Sequence, residues 1–191
     1  MDRNTWAGVG VGLLAGFLLG YFIRGGHSSE VPSLPAPAVG NPTAVPPELA
    51  LQRRIFDARQ VVEREPKNVQ AWTALGNDYF DSHQPQQAIE AYGKALELDP
   101  RNPNVLTDQG VMFRELKAFD KAIANFQKAN AIDPKHIQSL FNLGIVYSQD
   151  LKDKTKAIKA WKRIIEIDPA SPQAEACKKA IEELNSSPAP H

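Results

Sequence analysis

The sequence predicts an all-α protein, a solenoid of stacked helical hairpins preceded by one apolar helix. Three observations over its 191 residues lead there. An acidic residue followed by proline recurs at Glu65-Pro66, Asp99-Pro100, Asp133-Pro134 and Asp168-Pro169, spaced by 34, 34 and 35 residues. Within each interval, apolar and small residues fall at i, i+3, i+4 and i+7, the pattern of a helix with one buried face. Ahead of the repeats, Asn4 to Ile23 is a run of 20 uncharged residues.

The elements follow in chain order. Residues 1–3 form a short tail and residues 4–23 read as a transmembrane helix, since 20 residues at about 1.5 Å each span roughly the hydrocarbon thickness of a bilayer. Trp6 and Tyr21 sit near its ends, where amphipathic rings favour the headgroup region, and Arg3 and Arg24 flank it. Arg24-Gly25-Gly26-His27 offers no small-x-small cleavage site, and no cysteine follows to carry a lipid, so the span reads as an uncleaved anchor. Glycines at Gly8, Gly12, Gly16 and Gly20 recur nearly on one face. In lipid the backbone must bond to itself, so a helix forms despite them, and the bare stripe admits a second helix at close range. Residues 24–47 carry six prolines and little apolar mass, the composition of a semi-stiff spacer.

Residues 48–65 read as a half-repeat helix, followed by repeats over 66–101, 102–135 and 136–170, a capping helix over 171–185 and a tail over 186–191. The first repeat places Trp72, Leu75, Gly76 and Tyr79 on one helix face. The third repeats this as Leu140, Leu143, Gly144 and Tyr147, and the second as Leu106, Gln109, Gly110 and Phe113, a weaker copy because Gln109 replaces a leucine. Small Ala88, Ala122 and Ala157 occupy one register of the second helices, which allows close helix approach. Tyr92, Phe126 and Trp161 are expected to fill the gap between units. Asn68 and Asn102 suit N-cap positions, and Pro103 suits a first turn. These residues closely resemble the tetratricopeptide repeat family over residues 69–169, with departures at Gln109, at Ile164 and at a one-residue insertion near Lys152. The predicted body has eight helices and no strands.

The resemblance implies a superhelix whose concave side is lined by first-helix residues. Carried onto this chain, it places Gln70, Thr73, Asn77 and Phe80, then Asn104, Thr107, Val111 and Arg114, then Gln138, Phe141, Ile145 and Ser148 along a groove. The candidate peptide-binding residues are Asn77, Phe80, Val111, Arg114, Phe141 and Ile145. Such a groove suits an amphipathic helix or an extended peptide with a few apolar anchors. Members that clamp a C-terminal carboxylate use lysine, asparagine and arginine. Asn77 matches one of those positions, but Thr73, Asp108, Gln138 and Asn142 occupy the others and the cations are missing, so that mode is not expected.

Lys plus Arg and Asp plus Glu both count 22, so no basic field marks a nucleic-acid partner. The single Cys177 excludes an internal disulfide. His27, His83, His136 and His191 are scattered, with no metal-ligand spacing and no nucleophile–base pairing, so neither an enzyme, nor a metal site, nor a cofactor is expected. Lys152, Lys154, Lys156, Lys159 and Lys162 form a local basic run, read first as a solvated face and secondarily as an anionic contact. The expected function is a membrane-anchored scaffold that binds a protein or peptide and touches lipid through its span. Its setting is a bacterial inner membrane with the repeats in the periplasm. That architecture is similar to the anchored repeat proteins of cytochrome c maturation. Two alternatives stand beside it: a homo-oligomer held by repeats and glycine-striped spans, and a cytosol-facing adaptor of the import-receptor kind.

Overall fold

The structure, a computed structural model, describes residues 46–186. The anchor predicted over 4–23 with its glycine stripe, nearly all of the spacer over 24–47 and the tail beyond 186 lie outside the described residues. Within them are eight α-helices and no strand: α1 (Pro47–Arg64), α2 (Val69–Asp81), α3 (Pro85–Leu98), α4 (Pro103–Glu115), α5 (Phe119–Ile132), α6 (Ile137–Ile145), α7 (Lys154–Ile167) and α8 (Pro172–Ser186). A π-helical turn, Val146–Asp150, extends α6. None of the described helices is long and apolar enough to cross a membrane.

Local chemistry sets the helix ends. The side chains of Asn68 and Asn102 accept the backbone N–H of Ala71 and Val105 at 3.0 and 3.2 Å, capping α2 and α4 as predicted. In the third repeat His136 takes this position, its Nδ1 accepting the Ser139 N–H at 3.3 Å. The recurring Asp-Pro pairs do more than stop a helix. Asp99, Asp133 and Asp168 each accept the backbone N–H two residues on, at 3.2, 2.9 and 3.4 Å, which folds the loop into the next helix.

Each hairpin closes around one glycine. A Cβ on Gly76 would lie 2.5 Å from the Tyr92 ring, and one on Gly110 would lie 2.5 Å from Phe126. Gly144 stands in the same relation to the Trp161 indole. The large aromatics therefore lie over the glycine of their own repeat and also fill the gap to the next unit, as the sequence suggested. Tyr92 shares a core with Val105 and Met112, Phe126 with Leu143 and Val146, and Trp161 with Cys177. Ala88, Ala122 and Ala157 are fully buried beside them. Ile164, where the repeat pattern calls for alanine, is likewise fully buried and packs with Leu140, Trp161 and Cys177.

The turn inside each hairpin is also shared. His83, Lys117 and Lys152 occupy equivalent positions with φ of 54°, 58° and 57°. The closing bond runs from Gln84 N to Tyr79 O at 2.9 Å and from Ala118 N to Phe113 O at 2.8 Å. In the third repeat it runs from Asp153 N to Tyr147 O at 2.7 Å, one residue longer. The insertion is absorbed as the π turn, where Leu151 N reaches Val146 O at 3.0 Å. Phase is kept because the extra residue changes the winding of the last turn and leaves the α7 contacts in register.

Gln109 is no loose copy of a leucine. It is buried, at 8% exposure, and its amide donates to the Ile89 carbonyl of α3 at 2.9 Å while accepting from Asn125 of α5 at 2.8 Å. Three helices are thus pinned by one side chain. At the N-terminal end α1 packs Val62, Ile55 and Ala58 on Leu75 and Ala91, while Phe56 remains 62% exposed. At the other end α8 covers α7 through Ala174 and Cys177, both fully buried.

Candidate peptide-binding groove

The first helices α2, α4 and α6 carry the predicted groove residues. Phe80 and Val111 are half-buried and pack on a shared cluster that includes Tyr92 and Met112. Val111 also joins the next cluster, with Phe126 and Leu143. Phe141 and Ile145 are half-buried on the third cluster, and the Phe141 ring lies 6.5 Å from that of Trp161. The apolar members therefore anchor on successive, touching cores, with part of each side chain left accessible. Phe141 and Gln138 also line a depression of about 290 Å³ whose opposite wall is Gln173 and Ala176 of α8.

The polar members divide. Asn77 is exposed and its side-chain oxygen accepts the Tyr92 hydroxyl at 2.9 Å. Arg114 is already committed: its Nε donates to Asp150 at 2.5 Å and its Nη2 to Gln149 at 3.2 Å, across 35 or more residues of chain. The insertion in the third repeat supplies that acid, so Arg114 ties two repeats together. Thr107 is corrected more sharply. It is 1% exposed and donates to the Pro103 carbonyl at 2.8 Å, so it lines no surface. Above it, the Nε2 of His136 meets Asn104 Oδ1 at 2.9 Å. Because Nδ1 accepts from Ser139, Nε2 carries the proton, and burial lowers the pKa of this imidazole.

Asp108 is the one acid on this stretch of α4. Burial pushes its carboxyl up to about 6. Tyr92 is raised as well, first by burial and then by the charges of Asp108 and Asp81. The position that a carboxylate clamp would fill with a polar donor thus holds an acid, which repels an anionic terminus. Among the described residues no cluster of His, Cys, Asp and Glu could hold a metal ion. Cys177 is buried and its thiol pKa is raised by that burial, which disfavours the reactive thiolate.

Comparison with known families decides the kinship. The model of the cytochrome c-type biogenesis protein H TPR domain matches residues 28–175. The chain belongs to this family. The match runs over every repeat, so the protein H TPR domain and the tandem hairpins described above are the same body. A comparison with curated protein sequences returns no match. Among solved structures the fold is similar to that of MamA, at 24% identity over 70% of this chain and 81% of that one, with a TM-score of 0.61. It is also similar to the first TPR of Spaghetti (RPAP3), solved bound to an HSP90 peptide, at 24% identity over 62% and 94% of the chains, with a TM-score of 0.56. A tetratricopeptide repeat protein from Parabacteroides merdae matches at 21% identity over 72% and 60%, with a TM-score of 0.60. At these identities the likenesses establish the fold. A TPR domain of this kind serves as a protein–protein interaction scaffold.

Proposed function

We propose that this member of the cytochrome c-type biogenesis protein H TPR family is a membrane-anchored, non-catalytic scaffold. It holds a segment of an unfolded partner polypeptide during cytochrome c maturation. The repeats face the periplasm, the span over 4–23 tethers them, and the spacer over 24–47 sets their distance from the bilayer. The groove residues are Asn77, Phe80, Val111, Phe141 and Ile145, with Arg114 acting through the wall it braces. The observation that carries the reading is the row of half-buried apolar side chains, Phe80, Val111, Phe141 and Ile145, seated on successive cores of the first helices. Each such anchor contributes about 1.5–3 kcal/mol when fully desolvated, and confinement at the membrane raises the effective concentration of a co-localised partner.

The test is binding of full-length protein in detergent to tails of unfolded c-type apocytochromes and to an unrelated amphipathic peptide. A Val111→Ser, Ile145→Ser variant with unchanged helicity is expected to lose about tenfold or more in affinity for the cytochrome tails. Equal, negligible binding of both probes to the parent protein refutes the reading. Protease protection of the repeats in intact cells, lost on opening the periplasm, checks the topology. Cleavage only from the cytosolic side would instead place the domain there.

A further inference from the structure

A second cavity lies away from the groove, on the side of the second helices. It is a furrow of about 550 Å³ between α5 and α7, floored by Leu140 and Leu143 of α6 and Tyr147 of the π turn. Its rim is Lys156, Lys159 and Arg163 from α7 and Asn130 from α5, with Glu166 the one acid. The Asn130 amide nitrogen is buried and has no hydrogen-bond partner, alone in this among the buried side-chain polar atoms of the described residues. A buried donor left unmade costs about 1–3 kcal/mol, so such a group calls for an acceptor.

The rim cations are available. Lys156 pairs with Asp153 at 2.9 Å and Arg163 with Glu166 at 3.0 Å, but both are exposed contacts one helical turn apart, worth little and readily exchanged. Lys159 makes no ion pair among the described residues. The furrow thus combines a floor of aliphatic and aromatic side chains with a rim that is nearly all donors. The equivalent furrow over Trp72, Leu75 and Tyr79 has no such bias: Arg59 and Lys94 face Glu63, Glu90 and Glu97 there. The charge is therefore a property of this site, beyond the common repeat frame. It also gives Lys156 and Lys159, two members of the basic run between Lys152 and Lys162, a place to act.

We propose that the α5–α7 furrow is a second docking site, one that takes an acidic side chain of a partner polypeptide flanked by apolar residues. The carboxylate meets Lys159 and Arg163, the Asn130 amide donates to it or to the adjacent peptide carbonyl, and the apolar neighbours cover Leu143 and Tyr147. An ionised acceptor meeting several donors makes charge-assisted bonds, the stronger kind. A volume of this size holds several side chains, in the range of ordinary ligand pockets.

The test selects short random peptides displayed on phage against full-length protein in detergent, in parallel with a Lys159→Glu, Arg163→Glu variant of unchanged helicity and melting temperature. Peptides held by the parent and lost by the variant are expected to be enriched in Asp or Glu next to Leu, Ile or Phe. Their affinity is expected to fall about tenfold or more in the variant, and to fall in Asn130→Leu as well. The Val111→Ser, Ile145→Ser groove variant retains them, which separates this site from the groove. Absence of acidic enrichment overturns the proposal. So does displacement of the selected peptides by inorganic phosphate or phosphatidylglycerol vesicles at concentrations that leave groove-bound peptides in place, since that assigns the furrow to an anion or a headgroup.

Discussion

Gly110→Ala puts the hairpin geometry to a quantitative test. A methyl there would stand 2.5, 2.9 and 3.0 Å from Cε1, Cδ1 and Cζ of Phe126. The Phe126 ring is fully buried against Ala122, Leu143 and Val146, so it has no open space into which to move. Overpacking of this kind costs about 1–3 kcal/mol. Replacing a mid-helix glycine by alanine returns about 1 kcal/mol of helix propensity. The net expectation is a loss of up to about 2 kcal/mol in urea unfolding followed by circular dichroism. In a Phe126→Leu background the steric conflict disappears while the propensity gain remains, so the same Gly110→Ala change becomes stabilising by about 0.5–1 kcal/mol. The sign reversal is the diagnostic. If Gly110→Ala stabilises the parent protein, or destabilises both backgrounds equally, the glycine is not there to admit the ring.

Two further outcomes follow from residues already described. Lys117 holds a φ of 58°, a conformation in which a side chain is strained, so Lys117→Gly is expected to raise stability by about 0.5–1 kcal/mol in the same assay. For Asp108 the folded pKa of about 6 lies above the ordinary aspartate value of 3.8, so the fold favours the protonated acid. That contribution is fully present below about pH 4 and is lost as pH rises through 6, and the gap of about two pKa units bounds it at about 3 kcal/mol. Asp108→Asn should therefore be more stable than the parent at neutral pH, with the difference in melting temperature closing as pH falls toward 4. A pH-independent difference would contradict the assignment.

The frame of this fold was readable because its determinants are local. Asn68 and Asn102 lie three residues from the N–H groups they cap, and Gly76, Gly110 and Gly144 recur at the repeat period. What escaped depends on partners distant in sequence. Gln109 looked like a degraded leucine, yet its two partners lie 20 and 16 residues away on different helices. His136 replaces an asparagine cap with a ring that also reaches Asn104, 32 residues back. For the groove, Phe80, Val111, Phe141 and Ile145 were placed by the family resemblance, and each is half-buried over one of the shared cores. Arg114 and Thr107 are held differently. The first is turned by an acid 36 residues on, and the second is buried beneath a ring from the next repeat. The furrow charge was visible as a basic run, but the orphan amide that completes it comes from α5 and has no signature in the chain.

The surplus residue in the third hairpin shows where a repeating rod can change length without losing its lattice. Coiled tighter or looser, the end of α6 takes up the slack, while the interfaces on either side stay in step. The same detour carries Asp150 to Arg114, so a copying irregularity has become a strut between neighbouring units. Shortening that segment by one residue would restore the family's usual spacing and, in the same stroke, remove the brace.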